Sequence, residues 1–125
     1  MDKLQKLMND TRRWSDATFG EGDRNLAIIY HLTKEVAELI DAMEDYKESS
    51  NSSNMDFKEY STKIDKVECE LADCFLLLLD SAKHFGMDAD DLINVSRAKL
   101  NTNKKRKWGI PDENGVVEHI KEDGE

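Results

Sequence analysis

Four carboxylates fall into two pairs of the same spacing, Glu35 with Glu38 and Glu70 with Asp73. On an α-helix, residues three apart project from one face, so each pair presents two oxygen-bearing groups side by side. The second pair borders the most apolar run of the chain, Leu71 to Leu79. A carboxylate withdrawn from water costs several kcal/mol even after the surroundings relax, and two adjacent anions cost more. Protonation, a basic partner or a bound cation each resolve that cost. Lys34 and Arg97 are the candidate basic partners. Two helices that each bring a carboxylate pair form an oxygen cage, which suits a hard cation such as Mg2+ or Mn2+. Glu35 and Glu38 alone fit a solvated helix face better than a site. The apolar setting of Glu70 and Asp73 tips the whole towards metal. Di-iron chemistry on a helical bundle needs Glu-x-x-His on two helices, and no glutamate here has a histidine three residues later.

The elements that must position these groups are helices. One proline, six glycines and 36% charged residues within 125 argue against a turn-rich β fold, and long apolar-periodic segments argue for helix. A first helix is expected over about 2–13, followed by a loop, WSDATFGEGD, whose Asp23 caps the next helix. That helix runs over about 24–46, with Leu26, Ile29, Leu32, Val36, Leu39, Ile40 and Met43 at three- and four-residue steps. The polar stretch ESSNSSN, Glu48 to Asn54, reads as a linker. A third helix is expected over about 56–85, ending at Gly86, and a fourth over about 89–104, capped by Asp88. The remainder is irregular from about Trp108, with a turn at PDENG and a ragged acidic end. The expected fold is all-α: one domain over 1–125, a four-helix bundle with a short irregular tail. Around Asp73 the third helix is apolar nearly all round, the mark of a central, buried element.

The formal net charge of −9 repels nucleic-acid backbones, which need clustered Lys and Arg. No apolar run approaches the roughly 20 residues that cross a bilayer. The start, MDKLQKLMNDTRRW, lacks the apolar core of a signal peptide. Cys69 and Cys74, five apart on one helix, face different directions, so neither a disulfide nor a zinc pair is expected. A soluble cytoplasmic protein with no nucleic-acid or membrane partner is the expectation.

Further along, Lys99, Asn103 and Arg106 stand at spacings of four and three. If the fourth helix reaches Arg106 they share a face, two cations and an amide able to hold phosphate oxygens. A basic helix end that favours the helix dipole explains Lys104, Lys105 and Lys107 equally well, and Lys99 poorly. Trp14, Phe19, His31 and Trp108 are candidates to stack on a nucleobase, Trp14 foremost, although each also fits a core. Asn25 is a candidate for a base or sugar contact, or simply a first-turn residue. Asp41 and Asp80 read as solvated continuations of the acidic pattern.

The pattern E35-x-x-E38 … E70-x-x-D73 resembles that of the MazG-like, all-α nucleoside triphosphate pyrophosphohydrolases. K99-L-N-T-N103-K-K-R106 resembles the Lys-x-x-x-Asn-x-x-Arg element of that superfamily, and RRWSDATFG its aromatic segment at the nucleoside pocket. The combination WSDATFG, HLTKE, ELAD and the terminal HIK is most similar to the dATP/dGTP diphosphohydrolase-type branch, over about Trp14 to Lys121. GEGDRNLAII is closer to dCTP pyrophosphatase-like relatives, which leaves purine and pyrimidine both open. The resemblance implies hydrolysis of a (deoxy)nucleoside triphosphate to monophosphate and pyrophosphate, for pool control or removal of abnormal nucleotides. It implies Mg2+ or Mn2+, more than one ion per site, on Glu35, Glu38, Glu70 and Asp73, with Glu38 orienting or deprotonating the attacking water. It also implies a homodimer or homotetramer. The competing reading is a non-enzymatic acidic helical module that binds a partner helix; Glu70 and Asp73 inside an apolar helix give such a module nothing.

Overall fold

The computed structural model describes residues 2–51, 54 and 56–121. Four helices follow one another: α1 Lys3–Phe19, α2 Asn25–Ser50, α3 Phe57–His84 and α4 Ala89–Lys105. Among the described residues there is no strand, only an isolated bridge between Trp108 and His119. The all-α class expected from the sequence holds. No helix among the described residues is long and apolar enough to cross a membrane.

The chain divides into two compact units, Met1–Ala89 and Asp90–Glu125. In the first, α1 starts on Asp2, whose carboxylate accepts the Gln5 N–H at 2.8 Å, satisfying one orphan donor of the first turn. The helix continues six residues beyond the expected end, because Arg12 and Asp16 pair across one turn at 2.9 Å and Ser15 packs inward. The N-cap of α2 is Arg24, with no side-chain cap bond, and not the expected Asp23, which stands one position earlier and accepts the Asn25 N–H at 3.1 Å. At its far end α2 continues through Ser50, into the expected linker. Ser52 and Ser53 of that linker, and residues 122–125 of the acidic end, lie outside the described residues.

Helix α3 starts on Asp56 and ends where expected. Met87 N–H returns to the Ala82 carbonyl at 2.9 Å around Gly86 at φ +90°, the left-handed closure that glycine makes at least cost. Helices α2 and α3 run antiparallel, since Tyr46 meets Tyr60 (hydroxyls 3.0 Å apart) and Asp45 meets Lys63. Met8 of α1, Ile28 of α2 and Leu79 of α3 have no exposed surface and form the centre of this unit.

That centre is small, and the sequence reading is corrected on one point. The third helix is not buried on all sides: Leu71, Phe75 and Leu78 remain 46–50% exposed, and Asp73 is exposed. The outer face of α2 is also apolar, with Leu26 at 70% and Tyr30 at 65% exposure.

In the second unit the expected PDENG turn forms on Asp112, whose carboxylate accepts the N–H groups of Asn114 and Val116 at 2.8 and 2.9 Å. Gly115 N–H returns to the Asp112 carbonyl at 3.0 Å.

Candidate active site

Antiparallel packing of α2 on α3 sets Glu35 and Glu38 opposite Glu70. One oxygen from each of the three lies within 4.8 Å of the other two. Glu70 is 4% exposed, and the Oε2 atoms of Glu35 and Glu70 are buried with no hydrogen-bond donor. The crowding shows in the titration of Glu38. A hydrogen bond with Glu35, reinforced by the charges of Glu35 and Glu70, pushes its pKa above the ordinary carboxylate range. Two orphaned carboxylate oxygens facing a third acid are donors arranged for a hard cation. Asp73, one turn on from Glu70, stands outside the three-carboxylate group but lines the adjoining cavity with Glu35.

The basic partner that sequence reasoning sought is neither Lys34 nor Arg97. Lys66 reaches Glu70 Oε1 at 2.7 Å from the preceding turn of α3. Its pKa is raised, first by that hydrogen bond and then by the Glu70 charge. The i, i+4 relation to Glu70 was legible and outranks residues on other elements. On the inner side of the cluster, burial pushes the Cys74 thiol up, with further contributions from Glu35, Glu70 and Asp73.

Beside the carboxylates lies a cavity of about 480 Å3, lined by residues of α1, α2, α3 and the α1–α2 connection. Trp14, Phe19 and His31 line it together. Trp14 meets Phe19 edge to face at 5.3 Å, Phe19 meets His31 at 6.3 Å, and the Arg24 guanidinium lies 4.8 Å over the Phe19 ring. His31 Nε2 stands 3.2 Å from Glu35 Oε1, which links the aromatic group to the acid cluster. Leu7, Leu76 and Leu77 add apolar wall. Asn25 does not line this cavity; it is the first residue of α2.

Sequence reasoning missed Arg24 and Asp80, both of which line the cavity. Asp80 is no solvated acid: it is 3% exposed. His84 four residues later is the signal that could have found it. The His84 ring, 3% exposed, sits between Asp80 and Asp16, with Nδ1 2.9 Å from the Asp80 carbonyl.

In the second unit Lys99 is exposed on α4, with Asn103 one turn later. Arg106 follows the end of the helix and donates to Asn103 Oδ1 at 3.2 Å. Trp108 donates its Nε1–H to the Asn103 carbonyl at 2.9 Å and meets His119 edge to face at 5.9 Å. Asn103, Arg106 and Trp108 each therefore have a partner within their own unit.

The family model for dATP/dGTP pyrophosphohydrolases matches residues 61–125, more than half of the chain. The match takes in most of α3 with Glu70 and Asp73, all of α4 and the tail. No curated protein and no solved structure matches the chain.

Proposed function

We infer the reaction from a premise of membership: the chain belongs to the dATP/dGTP pyrophosphohydrolase family, and it hydrolyses a deoxynucleoside triphosphate between the α- and β-phosphates. The products are the monophosphate and pyrophosphate. The observation that carries this reading is the meeting of Glu35, Glu38 and Glu70 within 4.8 Å beside an aromatic cavity. A passive helical module has no use for a buried carboxylate with an orphaned oxygen.

Glu35, Glu38 and Glu70 hold Mg2+ or Mn2+, more than one ion with substrate present, and Asp73 joins them from the cavity wall. Cations held there would offset the triphosphate's charge and supply a water of lowered pKa near neutral pH. Glu38, the most exposed of the three, orients the attacking water and accepts its proton; the raised pKa supports that role. Trp14, Phe19 and His31 hold the base by stacking. For Lys99, Asn103 and Arg106 the phosphate role rests on their motif. Removing the charge of Lys99 or Arg106 raises KM for triphosphate. Trp108 and Asn25 stand as weaker nucleoside contacts, since neither lines the cavity of the first unit.

The working form is a homo-oligomer, a dimer or tetramer. Its support is the large apolar side chains left half-exposed or more on α2 and α3, the kind of surface that marks an interaction site when contiguous. The activity then acts on the cytoplasmic deoxynucleotide pool. Incubation with a panel of dNTPs and Mg2+, with pyrophosphate measured, tests the reading. Release that Glu38→Gln abolishes is expected; no release from any nucleotide by folded protein overturns it.

A further inference from the structure

Helix α4 has two polar faces, and the phosphate contacts proposed above use one of them. Lys99 and Asn103 stand four apart on that face. Arg97 is two residues from Lys99, which on a helix is about 160° away. A separate stripe runs through Arg97 at steps of three and four: Asn94, Arg97, Asn101, then Lys104 and Lys105. It starts one turn after Asp90, spans roughly 16 Å of helix and fills a sector of about 100°. All five side chains are exposed. Among the described residues none of the three cations pairs with a carboxylate. The surrounding sequence is equally one-sided. No acid occurs from Leu92 to Pro111, a stretch with six cations, although the chain's formal net charge is −9. The pull of a helix C-terminus on cations accounts for Lys104 and Lys105 in the last turn. It does not account for Arg97 two turns earlier, nor for the missing acids.

We propose that this stripe binds the phosphate backbone of double-stranded DNA without reading its sequence. The expectation of no nucleic-acid partner took the net charge as evenly spread. At physiological salt a charge reaches only about 8 Å, so the local sign decides. Arginine and lysine neutralise phosphates, and the asparagine amides between them donate to phosphate oxygens. Other polyanionic partners fit the stripe less well. An anionic membrane holds a protein stably only when an inserted apolar group joins the basic patch, and an acidic protein needs an apolar or aromatic centre to its interface. A single strand is gripped by aromatic side chains that stack on its bases. The five stripe residues include no apolar and no aromatic side chain. Charge and amide donors remain, and the duplex offers them the densest array, one phosphate charge per about 1.7 Å of axis. The proposal does not depend on the hydrolysis reaction.

Fluorescence anisotropy of a short labelled duplex of mixed sequence, titrated with the full chain in the absence of nucleotide, tests the proposal. Three neutralised phosphates give a slope of about −2.7 in log K against log salt, so affinity should fall about 40-fold between about 50 and 200 mM salt. Replacing Arg97, Lys104 and Lys105 together by Gln, which suits an exposed helix position, is expected to abolish binding with helix content unchanged by circular dichroism. Lys99→Gln, on the opposite face, is expected to bind DNA as the parent does. Parent protein that leaves the duplex free at about 50 mM salt overturns the proposal, and that result needs no variant to fold. A triple variant that binds as the parent does also overturns it. Tighter binding to a single strand of the same length, or to a polyglutamate peptide, overturns it too, since the first marks a stacking surface and the second an acidic protein partner.

Discussion

Placing a charge on the outer face of α3 should take the proposed homo-oligomer apart while leaving the chain folded. Leu71, Phe75 and Leu78 follow one another on that face, each 46–50% exposed. Full burial of such a side chain is worth about 1.5–3 kcal/mol, so covering the exposed half yields about 1 kcal/mol each. Three residues from each of two chains therefore supply roughly 6 kcal/mol towards association, before the outer face of α2 is counted. Phe75→Lys removes about 2 kcal/mol of that from a symmetric pair. It also sets two ammonium groups where they must lose water, at a cost of several kcal/mol. A combined loss of about 4 kcal/mol weakens association by roughly three orders of magnitude. Within one chain the change is mild, because the lysine head reaches solvent from a half-exposed position. Phe75 does not line the cavity, so a folding defect and a site defect are both separable from dissociation. Sedimentation at micromolar concentration, with circular dichroism as the control for folding, reads the outcome. Parent protein that sediments as a 14.4 kDa monomer at every concentration, or Phe75→Lys that stays associated, refutes the reasoning.

Three other expectations follow from the same geometry. Trp14→Ala removes a stacking wall that is 59% exposed within the single chain; KM should rise roughly 5- to 100-fold at little change in kcat, read by steady-state kinetics. Lys66→Met strips Glu70 of its cation, so the metal-free protein should melt lower and Mg2+ should raise its Tm by more than it raises that of the parent; equal Mg2+ shifts in the two proteins would count against a shared site. The hydrogen bond from Arg12, with the His84 ring alongside, holds the Asp16 carboxyl below the usual range. Its stabilising contribution is therefore complete above the ordinary carboxylate pKa of about 4 and is lost as pH falls through the lower folded value, so thermal unfolding followed from pH 6 to pH 2 should show a shallower acid decline in Asp16→Asn.

Much of this arrangement was legible because helical spacing carries it. Glu35, Glu38 and Glu70 are placed by a three-residue step on two helices, and an apolar run around an acid announces that one of them is buried. Asp56 and Gly86 marked the ends of α3 for local reasons of capping and handedness. What escaped depended on partners distant in sequence or on unweighed local pairs. The stretch SDATF has the composition of a loop, yet it is helical because Arg12 pairs with Asp16 and Ser15 packs inward. Asp80 looked solvated until α1 was seen to bring Asp16 against His84. Asp73 was expected inside because α3 is apolar nearly all round, but Asp73 is exposed and Leu71, Phe75 and Leu78 beside it stay about half exposed in this chain.

The central claim is that carboxylates from two antiparallel helices share a divalent cation. Titration of the protein with Mn2+, following the loss of the free-ion paramagnetic resonance signal, tests it most directly. The account predicts saturable binding that competes with Mg2+ and is lost in Glu70→Gln, whose folding is verified in parallel. Folded parent protein that leaves all the Mn2+ free, or Glu70→Gln that binds as the parent does, contradicts it.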